Sequence, residues 1–79
     1  MQELFNYITI DSDICFGKPC IKGTRISVYD ILNWLSAGMT TNEIIEDYPE
    51  LQDIHIRAAL AFAAARDKIT KVFVHEAVA

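Results

Sequence analysis

The sequence predicts a mainly α domain: a three-helix, helix-turn-helix unit preceded by a short N-terminal β-strand or hairpin and followed by a flexible C-terminal arm. Three observations predict it. The apolar spacing becomes helical from Ser27 onward, two helix-start signals at Ser27 and Thr40 flank Gly38, and residues 54–67 are dense in alanine and other good helix formers.

Phe5 to Ile10 is aromatic and β-branched, with Ile8 and Ile10 on one face and Tyr7 and Thr9 on the other, which suits a short half-buried strand. Asp11, Ser12 and Asp13 stop it. Gly17, Pro19 and Gly23 punctuate the next stretch, where Ile21 and Ile26 are the apolar anchors of a structured loop holding one or two residue pairs of strand. Val28, Ile31, Leu32 and Leu35 then recur at helical spacing behind Ser27 as N-cap, with Asp30 in the first turn and Gly38 at the end. Thr40 with Glu43 three residues on is a capping-box pattern, opening a second short helix whose Ile44, Ile45 and Tyr48 stop before Pro49. Asp53 can cap a third helix from Ile54 to about Asp67. On it, Ile56, Ala59, Leu60 and Ala63 form one stripe, and Phe62 with Ala58 and Ala65 forms another. A helix apolar on two sides is buried on two sides, and the second side is expected to meet another subunit. The organisation is therefore one domain over 1–68 and an arm over 69–79. The arm's apolar residues fit a helix through Ile69, Val72 and Phe73 or a strand through Val72 and Val74.

With 79 residues there is room for one core, and a chain this short buries only about 60% of its extended surface. Its 52% hydrophobic content is more than one small core absorbs, which predicts an oligomer or a complex. Disorder and low-complexity classes are excluded by the same composition. Seven basic residues against eleven acidic ones give a net charge of −4, which argues against indiscriminate coating of nucleic acid. The charge is nonetheless two-sided: Lys18, Lys22 and Arg25 stand without an acid between Ile14 and Tyr29, whereas Glu43, Glu46, Asp47 and Glu50 stand without a base. With no apolar run long enough to span a bilayer and no basic, apolar leader, the expected location is the cytoplasm, with no membrane partner and with Cys15 and Cys20 reduced.

Several chemistries fail on spacing. Cys15, Cys20, His55 and His75 do not fall into the tight pairs of a structural zinc site, so no metal or other cofactor is expected and the cysteines read as inert. No base is placed beside either thiol to make a nucleophile. The acidic cluster lacks apolar shielding and reads as a solvated face. The segment Gly17 to Thr24 resembles a phosphate cradle, but Pro19 removes an amide that such a cradle needs. The chain is accordingly not expected to be an enzyme.

Helices with a glycine-containing turn are compatible with DNA binding through the last helix. The available groups are His55, Arg57, Arg66 and Lys68 on the third helix and Lys22 and Arg25 in the loop before the first. Arg57 and Arg66 fit equally well as surface charges on a packing helix. A two-fold dimer would double this thin set and address two half-sites.

The blocks Gly17-Lys18-Pro19-Cys20-Ile21-Lys22-Gly23-Thr24-Arg25-Ile26-Ser27-Val28, Leu35-Ser36-Ala37-Gly38-Met39-Thr40, Ile44-Ile45-Glu46-Asp47-Tyr48-Pro49 and Ile56-Arg57-Ala58-Ala59-Leu60-Ala61-Phe62-Ala63 closely resemble the small prokaryotic domain-of-unknown-function family four-three-three. The resemblance runs from about Ile8 to Asp67. It implies a homeodomain-like three-helix unit and an antitoxin: a homodimer that silences a PIN-like ribonuclease toxin and represses its own operon by binding operator DNA. A stand-alone dimeric DNA-binding regulator is the alternative. Within the motif, Gly23 suits a left-handed turn, Thr24 can bond the local backbone, and Arg25 offers a donor fork for a carboxylate of its own fold or for a phosphate. Phe62 and the arm residues Ile69, Val72, Phe73 and Val74 are the candidate partner-binding set, since an apolar terminal segment can order on a partner's groove or sheet edge. The arm could instead cover Phe62 in the dimer.

Overall fold

The computed structural model describes the backbone of residues 2–78 and the side chains of residues 3–65. The chain enters as a 3-10 helix, Gln2–Tyr7, and passes into a two-residue strand, β1 (Ile8–Thr9). The predicted strand is thus shorter than its β-rich composition suggests. Its partner sets the limit: β2 (Cys20–Ile21) pairs antiparallel in the register Ile8 to Ile21 and Thr9 to Cys20. Pro19 on one side has no amide to offer a ladder, and on the other side Gly23 turns the chain at φ 82°. Phe5 to Tyr7, left without a strand to pair with, winds up and packs along the last helix. Ile10, expected on the buried face with Ile8, lies beyond the ladder and is 65% exposed.

Helix α1 (Val28–Ser36) begins where the sequence places it. Ser27 accepts the Asp30 amide at 3.0 Å and the Asp30 carboxylate accepts the Ser27 amide at 3.1 Å, a full capping box. The chain leaves α1 through Ala37 and through Gly38 at φ 99°. Helix α2 (Thr41–Asp47) opens on a second capping box, between Thr40 and Glu43 at 3.1 and 2.9 Å. Each box satisfies amides that a helix start leaves without partners, so both short helices are delimited by local bonds before any tertiary packing acts.

Helix α3 (Asp53–Val78) is 26 residues long and starts one residue earlier than predicted. Asp53 lies inside its first turn. The capping contact comes from His55, whose Nδ1 accepts the Gln52 amide at 2.9 Å. The backbone of the predicted arm continues this helix as far as Val78. Side chains from Arg66 onward, including Lys68, Ile69, Val72, Phe73 and Val74, lie outside the described residues.

The core gathers Ile21, Val28, Ile31, Ile44, Leu51, Ile56 and Ala59, with Ile8, Ile26, Leu32, Trp34, Leu35, Met39, Tyr48 and Phe62 partly buried around them. Each fully buried isoleucine or leucine contributes roughly 2 kcal/mol of transfer free energy. Ile56, Ala58, Ala59 and Ala61 are all buried, so the described part of α3, as far as residue 65, is covered round most of its circumference, as its two-sided apolar pattern predicts. The cover differs from the expectation, because α1, α2 and the N-terminal 3-10 helix of the same chain supply it. Leu60 departs from its predicted stripe and is 48% exposed, lying with Arg57 on the narrow solvent arc of the helix.

Candidate functional site

The segment from Asp11 to Ser27 is held by hydrogen bonds within itself and to its immediate neighbours, β1 and the start of α1. Ile21 donates its amide to the Ile26 carbonyl at 2.9 Å, Val28 donates to Pro19 at 2.9 Å, and Cys20 bridges Ser27 in antiparallel fashion. Thr24 latches the turn: its hydroxyl donates to the Ile21 carbonyl at 2.9 Å and accepts the Ile26 amide at 3.0 Å. Gly23 takes the left-handed conformation at φ 82°. The roles read for Gly23 and Thr24 in the sequence are the roles they play.

On the other side of this turn Cys15, Phe16 and Gly17 are three consecutive left-handed residues, with φ of 55°, 56° and 79°. For the two that carry side chains this costs on the order of 1–3 kcal/mol each, and bonds from the Gly17 amide to the Asp11 and Ile14 carbonyls and from the Lys18 amide to Cys15 hold the loop in place. The result is an aromatic ring thrown into solvent: Phe16 is 96% exposed, beside the exposed cations Lys18 and Arg25. Sequence reasoning missed Phe16. Its signal is its position between Cys15 and the punctuating Gly17, outside any periodic stripe.

Beneath Phe16 the thiols of Cys15 and Cys20 meet, Sγ to Sγ at 2.7 Å. Cys15 donates to the Arg25 carbonyl and Cys20 to the Thr24 carbonyl, both at 3.2 Å, so the pair clasps the strained loop to the turn. Both cysteines are free; Cys20 is fully buried and Cys15 half-buried. Burial, followed by the neighbouring Cys15, pushes the Cys20 thiol from its ordinary 9.0 up to about 12.

The sequence-predicted cations fall into two groups. Lys22 and Arg25 are exposed on the turn. Arg25 lines two hollows, one with Ile14, Gly23, Thr24 and Glu50, the other, of about 190 Å³, with Cys15, Phe16, Lys18, Ser27 and Asp30. On α3, Arg57 is exposed and helps line a hollow of about 520 Å³ against the N-terminal 3-10 helix. His55 serves local structure, with its Gln52 bond and an edge-on contact to Tyr7 at 5.6 Å. Tyr7 joins the two groups, since its carbonyl accepts the Lys22 amide at 2.8 Å while its ring meets His55. Phe62, a candidate partner contact, packs against the domain's own core. Arg66, Lys68 and the arm residues lie outside the described side chains.

The acidic side chains Glu43, Glu46, Asp47 and Glu50 are exposed, and Glu43 is occupied by its capping box, which lowers its pKa through the Thr40 backbone and side-chain bonds. Among the described residues no three His, Cys, Asp or Glu side chains converge as a metal site would require. Among them also, no helix is long and apolar enough to cross a membrane.

Comparison with known proteins places this architecture. An uncharacterized protein, y4eO, of Sinorhizobium fredii (strain NBRC 101917 / NGR234) is 36% identical over 58 residues, which cover 73% of this chain and 26% of that protein. The chain therefore matches about a quarter of that relative's length. The crystal structure of a DUF433 member protein from Anabaena variabilis ATCC 29413 superposes with a TM-score of 0.75 at 26% identity, covering 94% of this chain and 73% of that one. The profile described as "Protein of unknown function (DUF433)" matches residues 8–63, the span that holds the turn, both capping boxes and the first eleven residues of α3, and the chain belongs to the DUF433 family.

Proposed function

We propose that this chain is the antitoxin of a toxin–antitoxin pair, a cytoplasmic homodimer that binds and silences a PIN-like ribonuclease and represses its own operon. The observation that carries the reading is α3, whose backbone continues as one helix for sixteen residues beyond Phe62, the last of the described residues packed against the core. A long terminal helix suits the mode in which an amphipathic segment lies in a partner's apolar groove, and Ile69, Val72 and Phe73 recur at helical sequence spacing. Among the described residues the exposed Lys22, Arg25 and Arg57 are available for operator phosphates, Arg66 and Lys68 follow in the sequence, and dimerisation doubles the set.

The test is reconstitution with a PIN-like nuclease from the same operon, identified by co-purification with this chain. Equimolar full-length protein should abolish RNA cleavage, and a chain ending at Asp67 should remain folded but fail to do so. Unchanged cleavage in excess full-length chain would sink the antitoxin reading. A salt-sensitive operator shift by the chain alone, lost in Arg57→Ala, would then favour the second reading, a stand-alone DNA-binding regulator, which rests on the same exposed cations.

A further inference from the structure

We propose that Cys15 and Cys20 form a reversible internal disulfide by exchange with small, carboxylate-bearing disulfides, making the clasp beneath Phe16 a thiol modification site. The proposal is independent of the antitoxin reading. Its basis is the juxtaposition of the sulfurs at 2.7 Å, which a rotation of about 0.7 Å would bring to bonding distance.

The two thiols are unequally placed. Cys20 is 0% exposed and cannot meet an oxidant directly, whereas Cys15 is half-buried and opens on the hollow of about 190 Å³. Two cations, Lys18 and Arg25, line that hollow with one acid, Asp30, whose carboxylate is bound by the Ser27 amide. An anionic disulfide is therefore drawn to the mouth where Cys15 lies.

Exchange proceeds in two balanced steps. The Cys15 thiol gives up its proton and attacks one sulfur of the small disulfide; that S–S bond breaks, and the first small thiolate leaves and takes up a proton. Cys20 then loses its proton and attacks Cys15 Sγ, breaking the mixed disulfide and releasing the second small thiol. The protein loses two electrons and two protons, and the small disulfide gains both. Burial raises the Cys20 pKa most and the neighbouring Cys15 thiol adds to it; once Cys15 is in the mixed disulfide that second contribution is gone, which favours the second step.

The experiment treats the native full-length chain with oxidised glutathione at mildly alkaline pH, followed by intact mass and a thiol count. The wild type should end two hydrogens lighter, with both thiols lost, monomeric under non-reducing conditions and restored by dithiothreitol. Cys20→Ser should stop with one glutathione attached, and Cys15→Ser should stay unmodified until denatured, folding of each being checked by circular dichroism. A wild-type chain that keeps both thiols, retains a stable glutathione adduct or cross-links to a second chain overturns the proposal, and does so without recourse to either variant.

Discussion

The indole of Trp34 lies almost parallel to the ring of Tyr48, with centroids 4.1 Å apart and planes inclined by 11°. This stack joins the last turn of α1 to the C-cap of α2, two helices otherwise linked by a four-residue turn, and so fixes the angle at which the pair meets the core. Trp34→Ala and Tyr48→Ala should each destabilise the domain by about 2 kcal/mol, and the double variant should fall short of their sum by about 1 kcal/mol. Denaturant unfolding of the four proteins measures that coupling. Strict additivity would show that the rings act separately.

The second capping box makes α2 sensitive to acid. Glu43 has a lowered pKa because its carboxylate accepts the Thr40 amide, with the Thr40 side chain acting in the same direction. A lowered folded value means stability present above the ordinary carboxylate pKa and lost as pH falls through the lowered one. Glu43→Gln keeps a capping oxygen but no charge, so the wild type should be more stable at neutral pH and the difference should disappear in acid. Thermal unfolding across the carboxylate range reads this directly. Thr40→Ala, which removes the other half of the box, should cost about 1 kcal/mol at neutral pH.

Cys20 has the opposite sign. Its thiol is pushed from 9.0 to about 12 in the folded chain, so above pH 9 the unfolded state loses a proton that the folded state keeps. Stability should therefore fall with rising pH between about 9 and 12, more steeply in the wild type than in Cys20→Ala. Parallel slopes in alkaline denaturation would contradict the burial of this thiol.

At Gly23 the conformation is the whole constraint. Its φ is 82°, yet a Cβ there would meet nothing within 4 Å. Gly23→Ala should cost about 1–2 kcal/mol through backbone strain alone, without repacking the core. A larger loss, or altered core chemical shifts, would mean that the turn carries a steric role as well.

Much of the fold is legible because its signals are local. Ser27 with Asp30, Thr40 with Glu43, and Gly23 with Thr24 each specify their geometry within three residues, and each does what its residue types predict. The misreadings concern what lies across space. Ile8 and Ile10 have the same alternation, but only Ile8 has a partner strand. The second apolar side of α3 predicts a cover without identifying it, and the cover is the 3-10 helix that composition had made a strand. Leu60 and Phe62 are both apolar residues of one helix, and a stripe assignment cannot tell which faces the core. The exposed Phe16 and the thiol pair below it arise from three left-handed residues in a row, for which only the glycine gives a sequence signal.

The two-residue strands carry a further consequence. Exposed apolar side chains such as Phe16, Ile10 and Leu60 lead to fibrils when they sit on a long free strand edge, where a foreign chain can add rung after rung of backbone pairing. Here the strand Cys20–Ile21 is flanked by Thr9 on one side and by the Ser27 bridge on the other, and the outer strand offers two residues. Such an edge is too short to seed amyloid growth, so the domain can keep apolar side chains at its surface while denying a template to misfolded neighbours.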